Sequence, residues 1–173
     1  MVPLRSLRED ELPLLGPADV VGRLIACHAN IRRYLAEARA LATGNGDPEK
    51  RRESARSLAR YFGVAMPLHE ADEDASIAPR LTGRAAEQAL ARMEEHAAMD
   101  EAVGELCGDW ERWLAADMPS APFGAEHRGL VEAISRAMDT HLALEERHIF
   151  PAIAALSEAQ RREIVQEMEA RRR

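Results

Sequence analysis

Aromatic residues are scarce in this 173-residue chain, at 4% of the total, and only two cysteines occur. Cys27 and Cys107 make no CxxC or CxC spacing. Two distant thiols exclude a disulfide framework, so buried free cysteines in a reducing cytosol are expected. Long apolar runs are missing as well: nothing approaches the ~18 residues that a membrane span requires. The opening MVPLRSLREDELPLLGP carries basic residues, but Glu9, Asp10 and Glu11 interrupt the apolar core that a signal peptide needs. The expectation is a cytoplasmic protein with no membrane association. There is no excess of positive charge either. A net charge of −7 and a pI of about 5.4 argue against a nucleic-acid partner. The closing Arg171, Arg172 and Arg173 are expected to complement a helix C-terminus. Runs of alternating β-branched residues, the mark of strands, do not occur.

Ala, Leu, Glu and Arg dominate what is there, and that composition favours helix in a chain long enough for one domain. Residues 1–16, with two prolines, read as an irregular arm, and Pro17 suits a first helical turn. Val21, Leu24, Ile31 and Leu35 keep a helical period to about Thr43. The break TGNGDP (43–48) precedes a second helix over about 48–78, with the stripe Leu58, Phe62, Met66, His69, Glu73 and Ile77. Pro67 lies within it, opposite the carbonyl of Gly63, which predicts a kink. The third helix, about 84–116, carries Ala89, Met93, His96, Asp100, Val103 and Cys107 on one stripe. After DMPSAPFG (117–124), the fourth spans about 125–150 with Val131, Ile134, Met138, His141, Glu145 and His148, and Pro151 ends or bends it. Ser157 and Gln160 form a capping box for a short last helix, about 158–171. The prediction is all-α: an antiparallel up-down four-helix bundle over 17–152, with the C-terminal stretch 153–173 packing on it as an extra helix.

Two stretches repeat one pattern. HEADEDASIAP (69–79) and HLALEERHIFP (141–151) each carry His, an acid four residues on, a second acid five on and Pro ten on. Residues four apart share a helix face, so His69 points with Glu73, and His141 with Glu145, on stripes that face the core. Burying an unpartnered carboxylate costs several kcal/mol, and two in one core repel each other. A cation must meet them. The stripes hold no Arg or Lys, whereas a metal would meet both acids and both histidines at once. The repeat goes further: His28 precedes His69 by 41 residues, and His96 precedes His141 by 45. Two such hairpins about a pseudo-two-fold axis would gather four histidines and two glutamates. Imidazole and carboxylate suit iron or manganese, though spacing alone fits zinc as well, and acids able to span two ions argue for a metal pair. Ferritin-like di-iron proteins use ExxH, not HxxxE. HEADE misses the zinc-protease HExxH because Glu73 stands where the second His belongs.

His28, His69-x3-Glu73, His96 and His141-x3-Glu145 resemble the ligand pattern of the hemerythrin-like family, the HHE cation-binding domains, over about residues 18–152. The resemblance implies an up-down four-helix bundle around two non-haem iron ions, carboxylate- and oxo-bridged. By that resemblance His28 and His69 hold one iron, His96 and His141 hold the other, and Glu73 and Glu145 bridge. There are departures. Where oxygen carriers of the family have a further His four residues after the third-helix one, this chain has Asp100; Arg32 takes the matching place in the first half. The carriers also take their second bridging acid five residues after the last His. Here that is Glu146, which turns away from His141, so Glu145 is preferred. Asp100 and Glu70 are further candidate ligands, and His148 is a candidate hydrogen-bond partner of Glu145.

The plainer alternatives are structural. A lone core histidine is usually just hydrogen-bonded, and it is the joint register of both HxxxE pairs that favours metal. Asp72 and Asp74 are expected to be surface charge, His127 to sit near a helix start without ligating, and Tyr34, Tyr61, Trp110 and Trp113 to be core or rim. The expected function is a site that binds, senses or reacts with O2, H2O2 or NO. Peroxide-consuming (catalase-like) or ferroxidase activity is an alternative, as is iron storage or delivery, including iron-sulfur cluster repair. Repair-type relatives generally carry an N-terminal cysteine-bearing module, and residues 1–16 contain no Cys. No catalytic acid or base is assigned, and no protein partner is indicated.

Overall fold

A computed structural model describes residues 19–116 and 123–173. The expected arm (1–16), Pro17 and most of the break at 117–124 lie outside the described residues. Among those residues the chain is all-α, without a strand. Helix α1 is Val20–Ala42, α2 Pro48–Arg60, α3 Met66–Asp72, α4 Gly83–Ala115, α5 Ala125–His148, α6 Phe150–Ala154 and α7 Glu158–Ala170. The ends fall within a few residues of the sequence expectation, because the local signals act as read. The Asp47 carboxylate accepts from the amides of Glu49 and Lys50 ahead of Pro48, and Ser157 and Gln160 cap α7 reciprocally. Gly44 and Gly46 take positive φ in the turn after α1, where a Cβ would be strained.

The segment from α2 to residue 80 is one helical run with two π turns, Tyr61–Ala65 and Glu73–Ile77. The distortion expected at Gly63 and Pro67 takes this form. Pro67 has no N–H to give the Gly63 carbonyl, and just before it Met66 N–H donates to Tyr61 O, five residues back. The second π turn begins on Glu73, and Ala78 N–H donates to the Glu73 carbonyl. Such one-residue expansions re-aim the side chains that follow.

The described residues form two compact units. The first comprises 19–30, 68–94 and 141–173, the second 31–67, 95–116 and 123–140. The core of the first unit joins Val20, Val21 and Leu24 of α1 to Ile77, Leu81, Ala89, Ile149, Phe150, Ile153 and, from α7, Ile164 and Met168. The C-terminal helix is therefore part of that core. In the second unit Phe62 and Trp110 are fully buried with ring centroids 5.7 Å apart, and Tyr34 stacks on Tyr61 at 3.7 Å. The aromatics are core or rim there, as expected.

Candidate metal centre

Helix α1 supplies His28, α3 supplies His69, the π turn after it Glu73, and α5 His141 and Glu145. All are buried, His28 completely. The HxxxE spacing works as a helix dictates: His69 Nε2 is 3.6 Å from Glu73 Oε1, and His141 Nε2 is 2.9 Å from Glu145 Oε1. His28 Nε2 then points at both acids, 3.3 Å from Glu145 Oε2 and 3.9 Å from Glu73 Oε1. Neither contact is aligned as a hydrogen bond. The His28 and His69 rings meet edge-on at 5.3 Å, and Phe150 packs against His28 at 4.9 Å.

His28, His69, Glu73 and Glu145 each offer a donor atom within 4.8 Å of all the others. His141 is buried beside Glu145, and His96, on the part of α4 that belongs to the second unit, is buried as well. Donors bound to one ion at ~2.1 Å lie at most ~4.2 Å apart. A contraction of about half an ångström therefore suffices to close the group on an ion.

The electrostatics without an ion tell the same story. Burial, reinforced by the negative charge of Glu145, pushes the Glu73 carboxyl up. Burial acts on Glu145 in the same direction, but contacts from His141 and His28 outweigh it and hold that carboxyl well below its usual range. Burial alone would lower the His28 imidazole; Glu145, Glu146 and Glu73 lift it instead to about 10. Protons on Glu73 and His28 thus do what a cation would do. Convergent imidazole nitrogens and paired carboxylates fit a bound metal.

Sequence reasoning missed two groups. Glu146 accepts from His28 Nδ1 at 3.0 Å and so fixes which ring nitrogen faces the glutamates. It was passed over because position five turns away from His141, yet the same turn aims it at α1. Asp72, expected at the surface, is fully buried and held by Arg171 and Arg172. Its spacing of three from His69 was the signal, since that spacing stays on the buried face. Arg172 also donates to the Met168 carbonyl in the last turn of α7, the helix-end role expected of it.

The remaining candidates stand apart. Asp100 is exposed, and Glu70 and His148 are half-buried; none belongs to the donor group. His127 lies near the start of α5 as expected, but buried, with Nδ1 2.8 Å from Asp109 Oδ2 and its ring stacked on Phe123. Cys27 and Cys107 are free and half-buried. No described helix is long and apolar enough to cross a membrane.

The family model for the hemerythrin HHE cation-binding domain matches residues 19–153. The chain belongs to the hemerythrin family. That match ends before α7, so the helix carrying Ile164, Met168 and the arginine pair follows the hemerythrin domain. No curated protein and no solved structure matches the chain. The HHE cation-binding match and the buried His and Glu side chains of this hemerythrin domain fit a metal-binding protein.

Proposed function

We propose that the chain is a non-haem di-iron protein of the cytosol that binds, senses or reacts with O2, H2O2 or NO. One observation carries the reading: two buried histidines and two buried glutamates bring donor atoms within 4.8 Å of one another, and paired carboxylates are what two bridged ions require. His28 and His69 are assigned to one ion, His96 and His141 to the other, and Glu73 and Glu145 to both. Two irons supply the reversible electron transfer through which such small molecules are bound or reduced. The chain does the rest. Glu146 holds the His28 ring in place through Nδ1, and Phe150 covers the ring face. Complete or nearly complete burial of the donors limits entry to small molecules. Asp100, exposed on α4, is left out of the ligand set, and with it goes the case for a third carboxylate. Glu70 and His148, half-buried, are left out because neither belongs to the donor group.

Metal analysis with an absorption spectrum of the purified protein tests this. About two irons per chain with diferric absorption bands are expected. Iron near zero, with histidine substitutions leaving stability unchanged, would remove the centre. Rapid oxygen evolution on adding peroxide would assign an enzyme, and a reversible O2 adduct of the reduced protein would assign binding.

A further inference from the structure

The turn that carries Glu73 is held from outside the hemerythrin domain. Asp72, immediately before it, is fully buried, and each carboxylate oxygen meets a different arginine from the end of the chain: Arg171 Nη1 at 2.8 Å and Arg172 Nη2 at 2.6 Å. Arg171 also donates through Nη2 to Ser76 Oγ at 2.6 Å, within the π turn itself. Arg80, just after the turn, donates to the Ser76 carbonyl at 2.6 Å and to Glu167 of α7 at 2.7 Å. Asp72 before the turn, Ser76 within it and Arg80 after it are thus tied to the last turns of α7. That helix is anchored in turn by Ile164 and Met168 in the core and by Arg23 on Glu169.

A π turn is less favourable than α-helix and persists only where its surroundings over-determine it. If the segment reverted to α register, the side chains beyond the turn would rotate by about 100° relative to Glu73 and the helix before it. We propose that Arg171 and Arg172 are positioning residues for the metal site: by clamping Asp72 just before Glu73 and Ser76 just after it they hold the backbone that presents Glu73 beside His69, and so set metal affinity. This rests on the reading of Glu73 as a ligand. It makes α7 a part of the site that the hemerythrin domain alone does not contain.

The test uses the full chain and Fe(II) under anaerobic conditions, with affinity read by competition against a chromophoric chelator on protein shown to be folded by circular dichroism. Arg171→Gln/Arg172→Gln should bind Fe(II) about tenfold or more weakly, the range found when residues that orient a ligand are lost. Arg171→Lys/Arg172→Lys, which keeps the charge, should recover part of that loss. In the metal-free protein, amide exchange at residues 77 and 78 should speed up in the Gln variant. A merely structural role would lower the unfolding midpoint and leave the affinity of folded protein unchanged. Unchanged affinity in the Gln variant, with Glu73→Ala losing metal, overturns the clamp alone. Wild-type affinity in Glu73→Ala overturns the reading of Glu73 beneath it. Should the double variant not fold, Ser76→Ala decides: a weakening of about threefold supports the clamp, and wild-type affinity overturns it.

Discussion

The two glutamates at the centre should behave alike towards metal and unlike without it. In metal-free protein Glu145 is ionised and touches two imidazoles, His141 at 2.9 Å and His28 at 3.3 Å. A hydrogen bond to a charged group contributes about 1.5–3 kcal/mol, and the longer, misaligned His28 contact contributes less. Glu145→Gln keeps the shape and one acceptor but loses the charge. With about half of the two contacts retained, it should cost about 1–2 kcal/mol of stability. Glu73 is already protonated at neutral pH, because burial and Glu145 raise its carboxyl to about 8. Its amide isostere should change stability by less than about 1 kcal/mol. The sign with pH also differs. A folded-state value raised from 4.5 means that the folded form keeps a proton the unfolded chain has lost, so stability falls as pH rises from about 4.5 to 8. Glu73→Gln removes that fall and should gain on the parent over this window. Glu145, held below its ordinary value, contributes stability that is present above about 4.5 and lost only as pH falls through its folded value. Urea unfolding with chelator present, at pH 5, 7 and 8, measures all of this. Equal costs for the two substitutions, or a larger cost for Glu73→Gln, would refute the electrostatic assignment. Both variants should lose iron when it is supplied.

Proton release should accompany metal binding: His28, lifted to about 10, and Glu73, lifted to about 8, both carry protons at pH 7 that a metal displaces. Calorimetry in buffers of different ionisation enthalpy should report about two protons and an affinity that rises from pH 6 to 8; no release would contradict the protonated pair. Ile153→Ala, at a fully buried position of the first unit's core, should cost about 2–5 kcal/mol by urea unfolding, and a cost below about 1 would mean that the site collapses around the cavity. Burial alone would raise the Asp109 carboxyl, but hydrogen bonds from His127 and Arg112 hold it below its usual range. Asp109→Asn should therefore cost about 1 kcal/mol at pH 7, screened by partial exposure, and the difference should vanish as pH falls below about 3.8; an undiminished difference at pH 3 would sink this reading.

Most helix ends were legible because capping and breaking are local: Asp47 with Pro48, and Ser157 with Gln160, act within a turn of themselves. The kink sign at Gly63 and Pro67 was legible as well, but not its form. Whether a helix yields by bending or by adding a residue depends on what packs against it. At the centre, the HxxxE pairs were legible because helical spacing fixes which residues share a face. For Asp72 the spacing from His69 marks the buried face, but its partners were not legible, since they are arginines about a hundred residues later in the chain. Asp100 shows the reverse limit: a residue on the expected stripe of α4 is exposed, because the width of a buried stripe is set by the neighbouring helix and not by the period.

The order of residues alone determined an all-helical chain and the two His-x3-Glu pairs, because both follow from contacts within one or two turns. Only the tertiary structure decided that His28 reaches both glutamates, that Glu146 holds its other nitrogen, and that the C-terminal arginines close over Asp72. Those contacts join segments distant in sequence, where the burial that makes a charge costly, and its partner necessary, exists only once the helices have packed.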